Sequence, residues 1–441
     1  MTEAPMLIAA LDIEADGRKF TGYAGELLVP KWFAKNPTSD VADDNADLIA
    51  AARDAFRVMR DHESPNATAF DHWLRAQMQC VEPATDSPPG LVAMFGVALV
   101  ERAMIDALCR ASEQSFREAL GGDLFGLRFG EIDRRLDGWS PAHLGRPGTS
   151  VRLRHTVGLV DALEPSEIPP EARQGDDHPL CLVDDIAAFG LDCFKLKVSG
   201  NERADLMRLE TIASLTPDGA SFTLDGNEQF QDPNALADVL DELEKRGSAD
   251  SILRGLLAIE QPVARARTFD EDAAGGIRRL SERAPVIIDE ADAKLASYSR
   301  AKALGYGGVS MKACKGVFRA LFTRASIDAD GHGIQSAEDL TNLPALPLHQ
   351  DLSVVAALGL PHVERNGHHY FRGQAHLTEA ETRHLQARHP SLYRVTDAGE
   401  TLLDIRNGRL DLSSLNPAGT PLRGFGYDGP IDLDGGDQKP Q

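Results

Sequence analysis

The sequence predicts an α/β protein in which a (β/α) barrel follows an N-terminal α+β domain. Three observations predict it. Short apolar segments recur between Val151 and Arg365 with helical stretches between them. Eight such segments follow one another at intervals of roughly 25–40 residues, the spacing of β-α repeats. Before residue 149 the texture is different, a strand–turn–strand pattern followed by long helical patterns.

In chain order, Met6–Ile13 is mostly apolar, Asp16–Gly17 is a turn signal and Phe20–Val29 resumes, which reads as a hairpin. Helical spacing follows over Asp47–Asp61 and Leu91–Leu108, and Ser112–Leu120 continues the pattern. Gly145, Pro147 and Gly148 read as a linker, so the first domain is assigned to residues 1–148. The candidate strands are Val151–Leu159, Cys193–Val198, Phe222–Asp225, Leu256–Glu260, Val286–Asp289, Val309–Lys312, Gly333–Ala337 and His362–Arg365. Helices are expected over Glu202–Ser214, Pro233–Arg246, Gly275–Arg283, Leu295–Leu304, Gly316–Ala325 and Leu352–Leu358. Eight parallel strands alternating with helices imply a closed barrel, residues 149–375. Residues 376–441 are expected to return to the first domain. Their acidic, Gly-rich end from Gly429 is expected to fray.

Composition excludes several function classes. The 441 residues carry a formal net charge of −22, and 42% are hydrophobic and 26% charged, ordinary values for a globular enzyme. Such a surface repels nucleic acid and anionic membranes, so neither is expected as a partner. It also repels an anionic substrate, so a carboxylate binder must concentrate positive charge locally. The cysteines, Cys80, Cys109, Cys181, Cys193 and Cys314, are scattered and odd in number. That pattern argues for a reducing compartment, and a cytoplasmic location is expected. No apolar run reaches membrane-spanning length, and no basic segment followed by an apolar stretch opens the chain as a signal peptide would. The start at Met1–Thr2–Glu3–Ala4–Pro5 is abrupt, as if a strand were missing upstream. A homo-oligomer is expected.

Active sites of such barrels lie at the C-terminal ends of the strands. Five consecutive strand ends carry a chargeable residue: Lys195–Leu196–Lys197 on the second, Asp225 on the third, Glu260 on the fourth, Asp289 on the fifth and Lys312 on the sixth. Strand period puts Lys195 and Lys197 on one face, and Asp289 on the face of Ile287. Asp225, Glu260 and Asp289 would converge from neighbouring strands. Three carboxylates held together repel unless a cation sits between them, and all-oxygen ligands suit Mg²⁺ or Mn²⁺. The alternative is three unrelated surface acids in an acidic chain. The lysines lie in apolar segments, where burial is expected. Neighbouring ammonium groups and a bound metal would disfavour their charged form, so a lysine here could act as a base near neutral pH. Lysines paired with barrel carboxylates as structure only are the alternative.

With these residues in place the chain resembles the enolase superfamily, and specifically its muconate lactonizing enzyme and dipeptide epimerase subgroup within the mandelate racemase/muconate lactonizing enzyme family. The marks are the K-x-K of Lys195 and Lys197, the acids Asp225, Glu260 and Asp289, and Lys312. The resemblance covers residues from about 150 to 370. It implies a modified TIM barrel with an N-terminal α+β capping domain, and abstraction of the α-proton of a small carboxylic acid through a Mg²⁺-stabilised enolate. Epimerisation or racemisation, elimination and cycloisomerisation all pass through that intermediate, so an isomerase or lyase is implied. By the same resemblance Asp225, Glu260 and Asp289 are metal ligands. Lys197 and Lys312 are the acid/base pair, and Lys195 binds the substrate carboxylate and tunes Lys197. Asn227 would support the metal shell.

The mandelate racemase subgroup fits less well, because the sixth strand ends in Met311–Lys312 and His332 precedes the seventh. The eighth strand also departs from the subgroup. Dipeptide epimerases carry Asp-x-Asp there, whereas this chain reads Val363–Glu364–Arg365–Asn366–Gly367–His368. Glu364, Asn366 and His368 are therefore specificity candidates, with exposed loop residues as the other reading. In the first domain Tyr23–Glu26 and Lys31–Phe33 could form a lid over the barrel mouth, with Trp32 excluding water. A strand end packed in its own core is the alternative. Two competing functions are a Schiff-base aldolase using Lys197 or Lys312, which would not need three carboxylates, and a non-catalytic relative that only binds a metabolite.

Overall fold

Asp16 and Gly17 both take positive φ, 51° and 68°, the geometry of a two-residue hairpin turn whose twist matches its strands. The turn joins strands β1 (Met6–Ala15) and β2 (Arg18–Leu27) in the register Ala15 opposite Arg18. The computed structural model describes residues 5–62, 64, 66–83, 90–172, 178–371, 373–415 and 423–431. One helix, α3 (Gly90–Ala111), packs on both strands of the hairpin, and α1 (Val41–Arg60) and α2 (Ala69–Ala76) pack on that helix. α3 is buried almost all round, as its nearly uninterrupted apolar sequence requires. β2 meets it backbone to backbone at Gly22, where a Cβ would stand 2.1 Å from Ala107 N. The helical pattern expected to continue over Ser112–Leu120 is broken. Glu113 takes φ 55°, and a new helix over Phe116–Gly121 starts from a Ser115–Glu118 capping box.

All eight expected barrel strands form within one or two residues of their sequence bounds. They are β3 (Ser150–Val157), β4 (Cys193–Lys197), β5 (Ser221–Asp225), β6 (Leu256–Glu260), β7 (Val286–Ile288), β8 (Gly308–Met311), β9 (Ile334–Glu338) and β10 (His362–Glu364). Neighbours pair in parallel in that order, and β10 pairs with β3 to close the ring. Helices α5 (Glu202–Leu215), α6 (Pro233–Arg246), α7 (Ala274–Ser281), α8 (Ser297–Leu304), α9 (Val317–Asp330) and α10 (Leu346–Leu358) link β4 to β10. Among the barrel helices without a counterpart in the sequence reading is α4 (Leu182–Phe189), after β3. It is eight residues long, and Cys181 at its start provides no side-chain cap. α2, also eight residues long, has no counterpart in the sequence reading either. Further along, helix α11 (Glu379–Arg388) and a hairpin of β11 (Tyr393–Val395) and β12 (Thr401–Leu403) precede β13 (Arg409–Asp411), which lies antiparallel on β3. Phe425 packs on Phe116 with centroids 4.4 Å apart, and its N–H donates to Asp106. No helix among the described residues is long and apolar enough to cross a membrane.

A buried polar network fixes the hairpin over the barrel. Arg102 of α3 donates to Glu26 Oε2 at 2.7 Å, and Asn342 donates to Glu26 Oε1 and to Asp351 Oδ2, each at 2.7 Å. Burial raises Asp351 well above the carboxylate range, with Glu26 and Asp339 adding repulsion. A carboxyl raised in the folded state lends stability that is present below its unfolded pKa of about 4 and is lost as pH rises through the folded value. Asp351→Asn removes that dependence. In urea unfolding the variant is expected to gain on the wild type between about pH 5 and about pH 8. An unchanged difference would show that Asp351 is ionised in the fold.

Candidate active site

Strand parity carries the charged side chains inward. On β4, Phe194 and Leu196 face the helices, Phe194 stacking on Phe222 at 5.9 Å, while Lys195 and Lys197 face the barrel interior. Pairing sets Lys197 beside Asp225, Asp225 beside Glu260, and Glu338 beside Glu364. Lys195 Nζ is the hub. It lies 3.0 Å from Asp225 Oδ2, 2.8 Å from Glu260 Oε2, 2.9 Å from Glu338 Oε2 and 2.8 Å from Glu364 Oε2. Lys197 Nζ, the most exposed of the lysines here, donates to Asp225 Oδ2 at 2.5 Å and to Asn227 Oδ1. Lys312 Nζ lies 2.8 Å from Asp289 Oδ2 and donates to Glu338 Oε2 at 2.5 Å and to Ser310 at 2.9 Å. Asn227 also donates to Glu290 at 3.1 Å.

Glu338, Lys315 and Arg154 were missed in the sequence. Glu338, at the end of β9, accepts from Lys195, Lys312 and Arg154. Lys315 is buried with its Nζ 2.9 Å from Asp289 Oδ1. The signal for Glu338 lay in the Ser336–Ala337–Glu338 segment, where the acid shares the inward parity of Ser336. Lys315 follows its strand in a short 3-10 turn, where strand parity gives no guidance.

The carboxylate grouping differs from the expected triad in one member. Oxygens of Glu260, Asp289 and Glu338 lie within 4.8 Å of one another, while Asp225 turns its Oδ2 to Lys195 and Lys197. Both oxygens of Glu260 and Oδ1 of Asp289 are buried without a hydrogen-bond partner. Ammonium groups stand near some of them, but Glu260 Oε1 has its ion-pair neighbour, Lys312, only at 4.0 Å. Convergent, under-satisfied carboxylate oxygens fit a hard divalent cation.

Burial opposes charge on Lys195, yet Asp225, Glu260, Glu338 and Glu364 hold it well above the ordinary lysine range. Asp289 and Glu338 raise Lys312 against its burial in the same way, and Asp225 raises Lys197. The sequence reading expected lysines poised near neutral pH. Repulsion between the lysines is outweighed by the surrounding carboxylates, and the shift runs the other way. Burial pushes Glu260 well up, with Asp225 and Glu338 adding repulsion, and Glu290 up to about 7. Asp289 is held low because Lys312 and Lys315 overcome its burial.

The remaining candidates divide. Glu364 is part of the centre, bonded to Lys195 and accepting from Thr156. Asn366 instead holds the backbone of β3, accepting from Thr156 N at 2.9 Å, and His368 meets His155 on the outer side of the barrel wall. Trp32 lies over the barrel mouth with its ring 5.1 Å from Lys312 Nζ, while Phe33 packs on Phe95 in the N-terminal core. Arg265, from the loop after β6, grips this segment by donating to the carbonyls of Trp32 and Phe33. Trp32→Ala is expected to raise KM by about 2- to 30-fold, the range of a partly desolvated cation–π contact, with little loss of stability. Steady-state kinetics beside thermal melts test this, and unfolding at unchanged KM would assign Trp32 to the core.

No family model matches the sequence, and no curated protein matches it either. Solved structures do match the fold. A mandelate racemase/muconate lactonizing enzyme from Roseiflexus sp. superimposes with a TM-score of 0.56 at 19% identity, over 97% of this chain and 99% of that one. 2-chloromuconate cycloisomerase from Rhodococcus opacus 1CP gives 0.55 at 16% identity, over 93% and 97%. The L-Ala-D/L-Glu epimerase from Bacillus subtilis gives 0.53 at 14% identity, over 91% and 89%. The chain therefore has the fold of these mandelate racemase/muconate lactonizing enzyme, cycloisomerase and epimerase structures, a modified TIM barrel under an N-terminal α+β cap.

Proposed function

We propose that the protein is an enolase-superfamily enzyme that removes the α-proton of a small carboxylic acid, leading to epimerisation or racemisation, cycloisomerisation or elimination. Lys197 and Lys312 are the acid/base pair, and Mg²⁺ or Mn²⁺ is the cofactor. The observation that carries this reading is one connected path at the strand ends, Lys197–Asp225–Lys195–Glu338–Lys312. β4 and β8 lie four places apart in the eight-stranded ring, so the outer two lysines approach a substrate at the mouth from opposite sides. Glu260 and Asp289, with Asp225 or Glu338, would hold the cation. A divalent cation there supplies charge stabilisation to a substrate carboxylate as its α-proton leaves. Lys195 binds the substrate carboxylate. Trp32 covers the mouth and excludes water. The carboxylates that keep the lysines charged are also the candidate ligands, so ligand occupancy and lysine basicity are linked. Residues 1–148 form the cap, residues 149–375 the catalytic domain, and the segment from 376 closes back on the cap.

Proton NMR in D₂O over a library of small carboxylic acids tests the reading. One class is expected to exchange its α-proton only with Mg²⁺ or Mn²⁺ present. Glu260→Gln and Asp289→Asn are each expected to weaken cation binding by more than the ~10–100-fold that supporting residues typically cost. Exchange indifferent to EDTA and to both substitutions would sink the proposal.

A further inference from the structure

Outside the lysine centre, one group of titratable side chains has no part in the chemistry above. β3 alternates strictly, with Arg154 and Thr156 facing the interior, bonded to Glu338 and Glu364. Leu153, His155 and Val157 have the opposite parity and pack outward. A histidine thus occupies a place between two aliphatic residues in the barrel's outer layer. It is buried, and α4 sets the fully buried Asp185 against it. From beyond β10, His368 and His369 close the group. His155 Nδ1 is 3.1 Å from His368 Nε2, His155 Nε2 is 3.8 Å from Asp185 Oδ2, and His369 Nδ1 is 2.7 Å from the same oxygen.

Two features of this group call for a ligand. Asp185 is a buried carboxylate whose ion-pair partners among the described residues are imidazoles only, and its Oδ1 has no hydrogen-bond partner. A buried anion without a firm positive partner is costly. His368 Nδ1 is likewise buried and unpartnered. We propose that His155, Asp185 and His368 form a second metal site, of nitrogen and oxygen donors, that takes Zn²⁺ or a similar borderline divalent ion. One donor atom from each residue lies within 4.8 Å of the other two. Donors of a tetrahedral zinc stand about 3.3 Å apart, given bonds of about 2.0–2.1 Å, so small side-chain adjustments complete the site. The donor set separates this site from the all-carboxylate centre, because imidazole favours zinc-like ions and oxygen favours magnesium.

The site lies at the seam of the barrel. β10 and β3 pair over only three residues there, and the three ligands come from the first strand, the first barrel helix and the segment after the last strand. An ion at this point staples the closure.

Titration of the full chain with Co²⁺ in excess Mg²⁺ tests the proposal, with proton NMR reading paramagnetically shifted imidazole N–H signals. The wild type is expected to show those signals at one bound equivalent, and Zn²⁺ is expected to displace them. Asp185→Asn and His368→Gln are each expected to weaken that equivalent at least ~10-fold while circular dichroism shows an unchanged fold. His368 is half-buried, so its variant serves should the Asp185 variant fold poorly. Absence of shifted imidazole signals in the wild type would overturn the site. So would signals that survive both substitutions, which would place the ion elsewhere, for example at His349, His384 and His389.

Discussion

Lys197→Ala is expected to slow α-proton removal by ~10²–10⁴-fold or more, the usual cost of losing a positioned general base. Lys197 is the most exposed lysine of the centre and the one anchored at its rim, between Asp225 and Asn227. Lys312 stands four strands away, gripped by Asp289 and Glu338. A substrate between them presents one face of its α-carbon to each. If both act as bases, Lys197→Ala abolishes exchange from one configuration and Lys312→Ala from the other. If Lys312 acts only as a cation beside the developing charge, both variants lose the same single configuration. Exchange measured separately on the two enantiomers of a turned-over acid separates these outcomes. Full exchange in both variants would refute the acid/base assignment.

Lys195→Met is expected to cost about 3–5 kcal/mol of stability in EDTA, the cost of breaking a buried ion pair by removing one partner. The reason is the geometry of the hub. Four carboxylates contact one ammonium that is only 2% exposed, and the substitution leaves them facing one another. Mg²⁺ is expected to recover much of that loss, because an ion that binds the folded state alone stabilises it by mass action. Urea unfolding with EDTA and with saturating Mg²⁺ makes the comparison. An equal loss under both conditions would mean that the carboxylates do not gather a cation.

The barrel was legible because short apolar segments and the helical stretches between them each encode one element, and parity then put Lys195 and Lys197 on one face and Asp289 on the face of Ile287. What lay beyond reach depended on three-dimensional convergence. Asp225 is drawn off the carboxylate cluster by two lysines, and Glu338 joins it from a strand remote in sequence. The direction of the lysine shifts could not be read either, because it follows from how many acids surround each ammonium. α2 and α4 were missed although α7 and α8, equally short, were legible, so length alone does not account for the difference. Glu364, Asn366 and His368 alternate along one short segment, yet only Glu364 enters the centre. The chain leaves strand geometry after it, and parity no longer predicts direction.

The charges of the centre are not distributed evenly along the chain. The half-barrel β3–β6 brings Arg154, Lys195 and Lys197 against Asp225 and Glu260, and is net positive. The half from β7 to β10 brings Lys312 and Lys315 against Asp289, Glu290, Glu338 and Glu364, and is net negative. Closing the ring brings the two unlike excesses together and reduces the imbalance to a single formal negative charge. Assembly of the barrel is therefore the meeting of two oppositely charged pieces of one polypeptide, and added salt weakens the long-range attraction that draws the second onto the first.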